Sequence, residues 1–499
     1  MNPIDDAPPH VRRANWLMFT ALVAALASTL VLTTLSGCAS SEGIKPSAQR
    51  VDAAALGVKA PDTAATEPSP PPAPEPLVAT DWWKGFGDTT LAGLVEQALA
   101  GSPNLRMAQA RLARAQAGVE NSRTAEGLQS SASLEVTRQR YSENGLVPPP
   151  VGGATLNSGT LQLGLSWEFD FFGRNRAALE ASLGSERAAQ ADIQAARVLL
   201  ASNVTRAYVQ LARLVEQREV ASRALAQRDE MLALIRQRVQ AGLDTNVELR
   251  QGEGALPETR QQIEVLDEQM ALARHALAAL TAQAPSALDT LTPRLQPVQA
   301  MPLPSAVPVD LLSRRADISA ARWRIEAATQ DTRAVRAQFY PNVNLTAFAG
   351  LSSLGLDKLL KSGSEQYGAG PAIHLPIFDS ARLRANLRGK TADLDAAVES
   401  YNAAVIDAVR DVADQISSLR SIERQQREQA LAQDAAESAY GLATQRYKAG
   451  LGTFLVVLTA ESNLLNQRRS ATDLKARALD AQVGLVRALG GGYADAGRP

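Results

Sequence analysis

The chain of 499 residues contains one cysteine and three histidines. A single thiol excludes an internal disulfide. His10, His275 and His374 are too far apart in sequence to suggest a metal or catalytic cluster. No glycine-rich phosphate loop follows an alternating segment. The formal net charge is −1, without the basic excess that nucleic acid requires. Aromatic residues make up only 4% of the chain, yet ten of them fall in the windows 131–180 and 336–380. That clustering marks the two windows as facing a different environment from the rest. Glu168 and Asp170 share one face of an alternating segment, and such a pair could serve acid–base chemistry. A polar strand end next to a turn explains them better. No enzyme activity, cofactor or metal is expected.

What is present is a duplication. Residues 104–136 and 317–349 each pass from an Ala/Arg-rich helical run into an alternating segment. The passage QRVQAGL at Gln237–Leu243 returns as QRYKAGL at Gln445–Leu451. This spacing far exceeds the roughly 20–50 residues of a solenoid unit. It predicts two related halves in one chain, arranged with pseudo-symmetry.

The N-terminus reads as an export signal. Arg12 and Arg13 precede the apolar stretch Trp16–Leu35, which ends in Leu35-Ser36-Gly37-Cys38. The small residues before Cys38 favour cleavage over a spanning helix. Leu-Ser-Gly-Cys resembles a bacterial lipobox, which implies that Cys38 is acylated and becomes the first mature residue. Ala39 and Ser40 follow, and the absence of Asp at the second mature position implies sorting to the outer membrane. Residues 40–80 are rich in Ala, Pro, Thr and Ser, with PSPPPAPEP at 68–76. Such a composition buries little apolar surface and predicts a disordered tether.

Beyond residue 81 the hydrophobic period alternates between two values. It is helical from Leu91 to about Gly127, with Pro103 opening a new helix. It becomes two over Ala132–Val136 and over Thr160–Asp170, where Leu161, Leu163, Leu165, Trp167 and Phe169 share one face. A long polar loop joins these strands. The second half repeats the plan, with Val343–Ala349, a loop over 350–365, and Tyr367–Leu375. Four strands of about ten residues suit tilted membrane crossings, although Pro371 argues against a central strand. Two Pro-free helical regions follow, about Arg176–Ala241 and Arg382–Ala449, each on the order of 100 Å long if helical throughout. Val398, Asn402, Val405, Val409, Val412, Ile416 and Leu419 step 4-3-4-3-4-3, a coiled-coil seam. Leu200, Val204, Ala207, Leu211 and Leu214 follow the same rule. Gly242 and Gly450 end the two runs as left-handed caps. Returning helices occupy Val247–Ala282, with Pro257 inside, and Leu455–Leu489.

At this point the residues match a family. WEFDFFGR at Trp167–Arg174 and PIFDSAR at Pro376–Arg382 resemble the strand-to-helix signatures of outer-membrane efflux proteins of the TolC/OprM type, in the NodT-like lipoprotein branch. Asp81-Trp82-Trp83 with Phe86 is similar to that family's N-terminal entry, and Phe339-Tyr340-Pro341 to its helix-to-strand junction. Arg314-Arg315-Ala316-Asp317-Ile318 resembles an Arg-Arg-Pro-Asp-Ile element, with Ala316 in place of Pro. The resemblance implies an α+β membrane protein. Three protomers would each give four strands to a twelve-stranded β-barrel, continued by a long periplasmic α-helical coiled-coil barrel. It also implies a passive efflux channel partnered by a periplasmic adaptor (membrane fusion) protein and an inner-membrane pump. Physics adds its own argument for a homotrimer, because four strands cannot close a barrel and open edges are not tolerated in lipid.

The expected organisation is a signal peptide over 1–37, a lipid-anchored linker over 38–80, and a first repeat over 81–284. A Pro-rich linker over 285–308, a second repeat over 309–492 and a tail over 493–499 complete it. The resemblance implies adaptor docking at the tips Gly242, Leu243, Gly450 and Leu451. It implies a periplasmic gate near Glu248, Val456 and Thr459. Relatives carry acids where Val456 and Thr459 stand, so a largely apolar gate is expected. A Glu248 ring would titrate near pH ~4–5 if unperturbed. Two other classes stay open at this level, a periplasmic adaptor and a structural coiled-coil lipoprotein. An adaptor would show one helical hairpin within β-rich halves, and a structural coiled coil would lack alternating strands.

Overall fold

The computed structural model describes residues 40–51, 78–145, 147–295 and 314–493. Cys38, the signal segment and the proline run at 68–76 lie outside the described residues. In chain order the elements are α1 (Thr89–Gly101), α2 (Pro103–Glu126), β1 (Gln129–Arg140), β2 (Thr155–Phe169), α3 (Arg174–Gln240) and α4 (Asn246–Leu280). The second half supplies α5 (Ala316–Ala337), β3 (Asn342–Leu354), β4 (Glu365–His374), α6 (Ser380–Lys448) and α7 (Phe454–Ala488). The helix–hairpin–helix–helix order therefore occurs twice. The strands run longer than their alternating cores, because the apolar alternation breaks down toward their outer ends. The expected loop at 350 gives way to strand as far as Leu354.

The chain folds into two compact units, each drawing on both halves. One comprises residues 1–49, 113–187 and 323–399; the other comprises 50–112, 188–322 and 400–499. The first unit carries a single antiparallel sheet of order β1-β2-β3-β4. Each hairpin pairs with itself, and β2 joins β3 in an unbroken register from Ser158↔Leu354 to Phe169↔Val343. Pro371 sits on β4, an edge strand of this sheet, where a missing ladder donor is tolerated. In the same unit, α3 and α5 approach closely at Gly184, where a Cβ would meet that of Ala327 at 3.1 Å. The Arg187 guanidinium covers the Trp323 ring at 4.6 Å.

Residues 40–51 depart from the expected free tether. In the first unit Ile44 is buried among Val335, Phe339, Leu383 and Leu387. Arg384 donates to the Ser40 carbonyl at 2.6 Å, and Arg336 to that of Ile44 at 3.3 Å. The Asp395 carboxylate accepts from Ser47 N–H and Ala48 N–H at 2.9 Å each. Those bonds, with the Ser47 hydroxyl, hold the Asp395 carboxyl below its ordinary range. In the second unit Val51 N–H donates to Asn402 Oδ1 at 2.8 Å. Composition alone missed this because the segment has no core of its own; it borrows one apolar slot and a few acceptors on neighbouring helices.

The second unit holds the main core. Trp82, Trp83, Phe86, Leu91 and Val95 pack with Leu211, Leu214, Leu277, Val412 and Leu485. Asp88 caps α1, accepting from Thr90 N–H at 2.8 Å and Leu91 N–H at 3.1 Å. The seam expected on α6 is present: Val398, Asn402, Val405, Val412 and Leu419 are buried. Past α7 come three glycines with positive φ, Gly490, Gly491 and Gly492. A Cβ on Gly490 would lie 1.9 Å from the Arg314 carbonyl oxygen, so no other residue fits there. The linker after α4 is partly docked: Leu295 N–H donates to Glu216 at 3.0 Å.

Candidate functional site

Two regions carry the chemistry, the sheet and the helical hairpin tips. In the sheet, register assigns every side chain to a face. One face carries Leu134, Val136, Leu161, Leu163, Leu165 and Trp167. All six are exposed, Leu163 at 62% and Leu134 at 68%. The opposite face carries Ser131, Ser133, Thr160, Gln162, Ser166, Thr346 and Ser352. A soluble sheet covers its apolar face; this one presents it outward, as a lipid-facing wall does. Among the described residues no helix is long and apolar enough to cross a membrane. The strands of 12, 15, 13 and 10 residues are each long enough to cross one when tilted.

The strand-to-helix turns explain the signature residues. In WEFDFFGR, Glu168 pairs with Arg174, and Asp170 accepts from Arg176 N–H at 2.9 Å, while Gly173 takes φ 73°. The two carboxylates thus fasten a turn. Phe172 stacks on Tyr340 at 4.6 Å, joining the strand-to-helix turn of the first half to the helix-to-strand junction of the second. In the second turn Arg382 donates to Asp379 at 2.7 Å. The exposed Phe171, Phe172, Tyr340 and Phe378 gather at this end of the sheet, an aromatic girdle of the kind found at membrane interfaces.

At the first tip Gly242 has φ 70°. Leu243 N–H donates to the Arg238 carbonyl at 2.9 Å and Gly242 N–H to that of Val239 at 3.0 Å, a Schellman cap. The second tip reproduces it, with Gly450 at φ 76°, Leu451 N–H on Arg446 at 2.8 Å and Gly450 N–H on Tyr447 at 3.0 Å. Leu243 and Leu451 are 66% and 71% exposed. The structure joins the two tips. Arg238 forks onto Asp244 at 2.9 and 3.2 Å, and the Tyr447 hydroxyl of the second hairpin donates to the same carboxylate. Arg238 also lies 4.7 Å from the centre of the Tyr447 ring. Burial pushes the Asp244 carboxyl up, but the bonds from Arg238 and Tyr447 outweigh it and leave the carboxyl below its ordinary value.

Glu248 forms a capping box with Thr245, accepting its N–H at 3.0 Å while Thr245 Oγ1 accepts from Val247 N–H at 3.1 Å. The Thr245 hydroxyl and then backbone N–H groups hold the Glu248 carboxyl below its ordinary range. Its counterpart Val456 is 56% exposed, and Thr453, at the cap of α7, makes no capping bond. Thr459 is exposed and donates to the Leu455 carbonyl at 2.8 Å.

One node was not foreseen from sequence. Arg228 on α3 donates to Glu461 on α7 at 3.0 Å, and to Thr259 and the Ala255 carbonyl on α4 at 2.8 and 3.1 Å. Burial raises the Glu461 carboxyl above its ordinary value, although Arg228 opposes the shift. An acid within the apolar run LVVLTAESNLL was the available signal.

Comparison with known proteins bears on both regions. The family profile described as outer membrane efflux protein matches residues 94–283 and 307–491. The multidrug resistance outer membrane protein MdtQ of Escherichia coli O157:H7 is 34% identical over 422 residues, 83% of this chain and 88% of that protein. The fusaric acid resistance protein FusA of Burkholderia cepacia is 36% identical over 372 residues, 74% of this chain and 68% of that protein. The crystal structure of the outer membrane protein VceC of Vibrio cholerae superposes with a TM-score of 0.78 at 35% identity, covering 84% of this chain and all of that one.

Proposed function

Since the chain belongs to the outer membrane efflux protein family and is an outer-membrane channel for efflux, we propose that it works as a passive conduit for small molecules. An inner-membrane pump and a periplasmic adaptor deliver the cargo, and the energy comes from the pump. Three copies each contribute four strands to a twelve-stranded barrel, and their helical hairpins continue the duct through the periplasm. The observation that carries this reading is the sheet. Its outward face is apolar and exposed, and among the described residues no further strand pairs with the outer edges of β1 and β4. Lipid tolerates no open edge, so copies must close it.

In this reading Cys38 is acylated and assists membrane residence on the periplasmic side, while the barrel itself holds the protein in the bilayer. Leu243 and Leu451 are the adaptor-docking points beside Gly242 and Gly450. Val456 and Thr459 line a mainly apolar gate, and Glu248 serves its helix cap before any gating role. The names of MdtQ and FusA support a drug or small organic acid as cargo, and multidrug export is the broader of the two. The test replaces Cys38→Ser behind a cleavable non-lipoprotein signal. The product is expected in the outer membrane fraction; recovery wholly in the soluble periplasm would refute the barrel.

A further inference from the structure

The polar face of the sheet carries one aromatic side chain, and its surroundings are unusual. Phe348 lies on β3, on the same face as Ser131, Ser133, Gln162, Ser166 and Thr346. It stands directly opposite Gly164 on β2 and Gly368 on β4. Two further glycines share the face next to it, Gly350 two residues on and Gly370 diagonally across. The ring is 39% exposed. Glycine weakens a strand by roughly 0.5–1 kcal/mol relative to Ala, so four around one ring call for a reason. A strand glycine commonly marks a tight bend or a place where another group approaches the bare backbone.

Packing accounts for two of the four. A Cβ on Gly368 would meet Phe348 Cε1 at 2.8 Å and Cζ at 3.0 Å, so the ring lies over that glycine and shields its backbone. A Cβ on Gly350 would meet the Leu161 carbonyl oxygen at 2.2 Å, so strand approach demands that glycine. Neither reason extends to the other two. Nothing lies within 4 Å of a Cβ on Gly370, and one on Gly164 would touch only Ser131, at 3.0 Å. What results is bare backbone at Gly164 and Gly370 to either side of one apolar ring, on a face that is mostly polar.

We propose that Phe348, with the uncovered backbone of Gly164 and Gly370 on the strands to either side, is a contact site for planar aromatic cargo on the wall of the duct. The site rests on the barrel reading, which turns this face to the lumen and repeats the site three times. A flat ring lies on bare backbone without steric conflict and gains an offset-stacked or edge contact with Phe348. A polar wall offers no such contact elsewhere in the sheet. The site slows planar aromatic molecules during exit and leaves small ions unaffected.

The test uses purified trimers in planar bilayers. The probes are ethidium, a planar aromatic cation, and tetrapropylammonium, a cation without a ring. Ethidium is expected to block the current transiently. Phe348→Leu keeps an apolar side chain over Gly368 and should shorten the ethidium dwell time about two- to tenfold. Tetrapropylammonium dwell should be unchanged. Equal ethidium dwell in the two proteins overturns the proposal, as does an equal change for both cations. Thiol labelling separates this failure from that of the barrel. A charged, membrane-impermeant thiol reagent should modify Phe348→Cys, and ethidium should slow it, while Leu163→Cys stays shielded. Modification of Leu163→Cys at the same rate overturns the barrel wall itself. A shielded Phe348→Cys beside a shielded Leu163→Cys overturns this site alone.

Discussion

The two hairpin tips share a backbone and differ in chemistry. Both end a helix of nearly seventy residues with a left-handed glycine and the same pair of crossed hydrogen bonds. The first then adds Asp244, which receives Arg238, and a capping box made by Thr245 and Glu248. At the equivalent places the second tip has Gly452, exposed Arg446 and Val456. Its own side-chain fastening is Arg446 on the Leu451 carbonyl at 3.3 Å, and Tyr447 borrows a second from Asp244 of the first. Duplication preserved the turn because only glycine satisfies that conformation cheaply. It did not preserve the side chains around the turn, which had one tip to fasten instead of two. The first tip therefore carries more side-chain fastenings than the second.

Five changes break or sharpen that contrast. The largest effect is functional. Leu243→Asp with Leu451→Asp places charge on both proposed docking points and should abolish efflux, read as drug susceptibility, while trimers persist on gels. Normal transport with normal assembly would remove these residues from the docking surface.

Next comes Glu461→Ala, which leaves Arg228 charged and poorly solvated between three helices. A loss of about 3 kcal/mol in stability is expected, measured by denaturant unfolding in detergent. A loss below about 1 kcal/mol would mean that water already reaches this pair.

Asp244→Asn removes the common partner of Arg238 and Tyr447 and should cost about 2 kcal/mol. Its carboxyl is depressed in the folded state. Its contribution is therefore complete above the ordinary carboxylate value and disappears as pH falls through the folded one. Amide protection factors at both tips should fall in the variant, and in the wild type only in acid. Faster exchange at the first tip alone would deny the link through Tyr447.

Thr245→Ala deletes a formed cap and should cost about 1 kcal/mol. Thr453→Ala deletes a hydroxyl that caps nothing and should be nearly neutral. Equal losses would erase the distinction between the tips.

The smallest effect is a gain. Val456→Glu gives the second tip the missing half of a capping box and should stabilise it by about 0.5 kcal/mol. If this tip moves during opening, the same change should lower single-channel open probability.

Legibility followed the physics of each region. The alternation of Leu161, Leu163, Leu165 and Trp167 was readable because lipid demands apolar residues on one face alone. The outer ends of β1 and β2, such as Arg138–Arg140 and Thr155–Ser158, lose the apolar alternation and read as loop. Gly242 and Gly450 were readable because a left-handed cap is a property of a few adjacent residues. Asp244 with Tyr447, and Arg228 with Glu461, were not, because more than two hundred residues separate each pair and no local pattern joins them. The docked segment around Ile44 escaped composition for the same reason, since its partners lie on helices far along the chain. Phe348 was visible as a letter, but its neighbouring glycines lie on the two flanking strands and needed the register.

The central claim is that three copies close one barrel in the outer membrane. Heat-modifiable migration of the protein extracted from outer membranes in mild detergent, followed with far-ultraviolet circular dichroism, tests it most directly. Unheated samples should run as a trimer with a measurable β signal, and boiling should convert them to monomer as that signal is lost. A monomer at both temperatures, or a trimer whose spectrum is wholly helical, would contradict it.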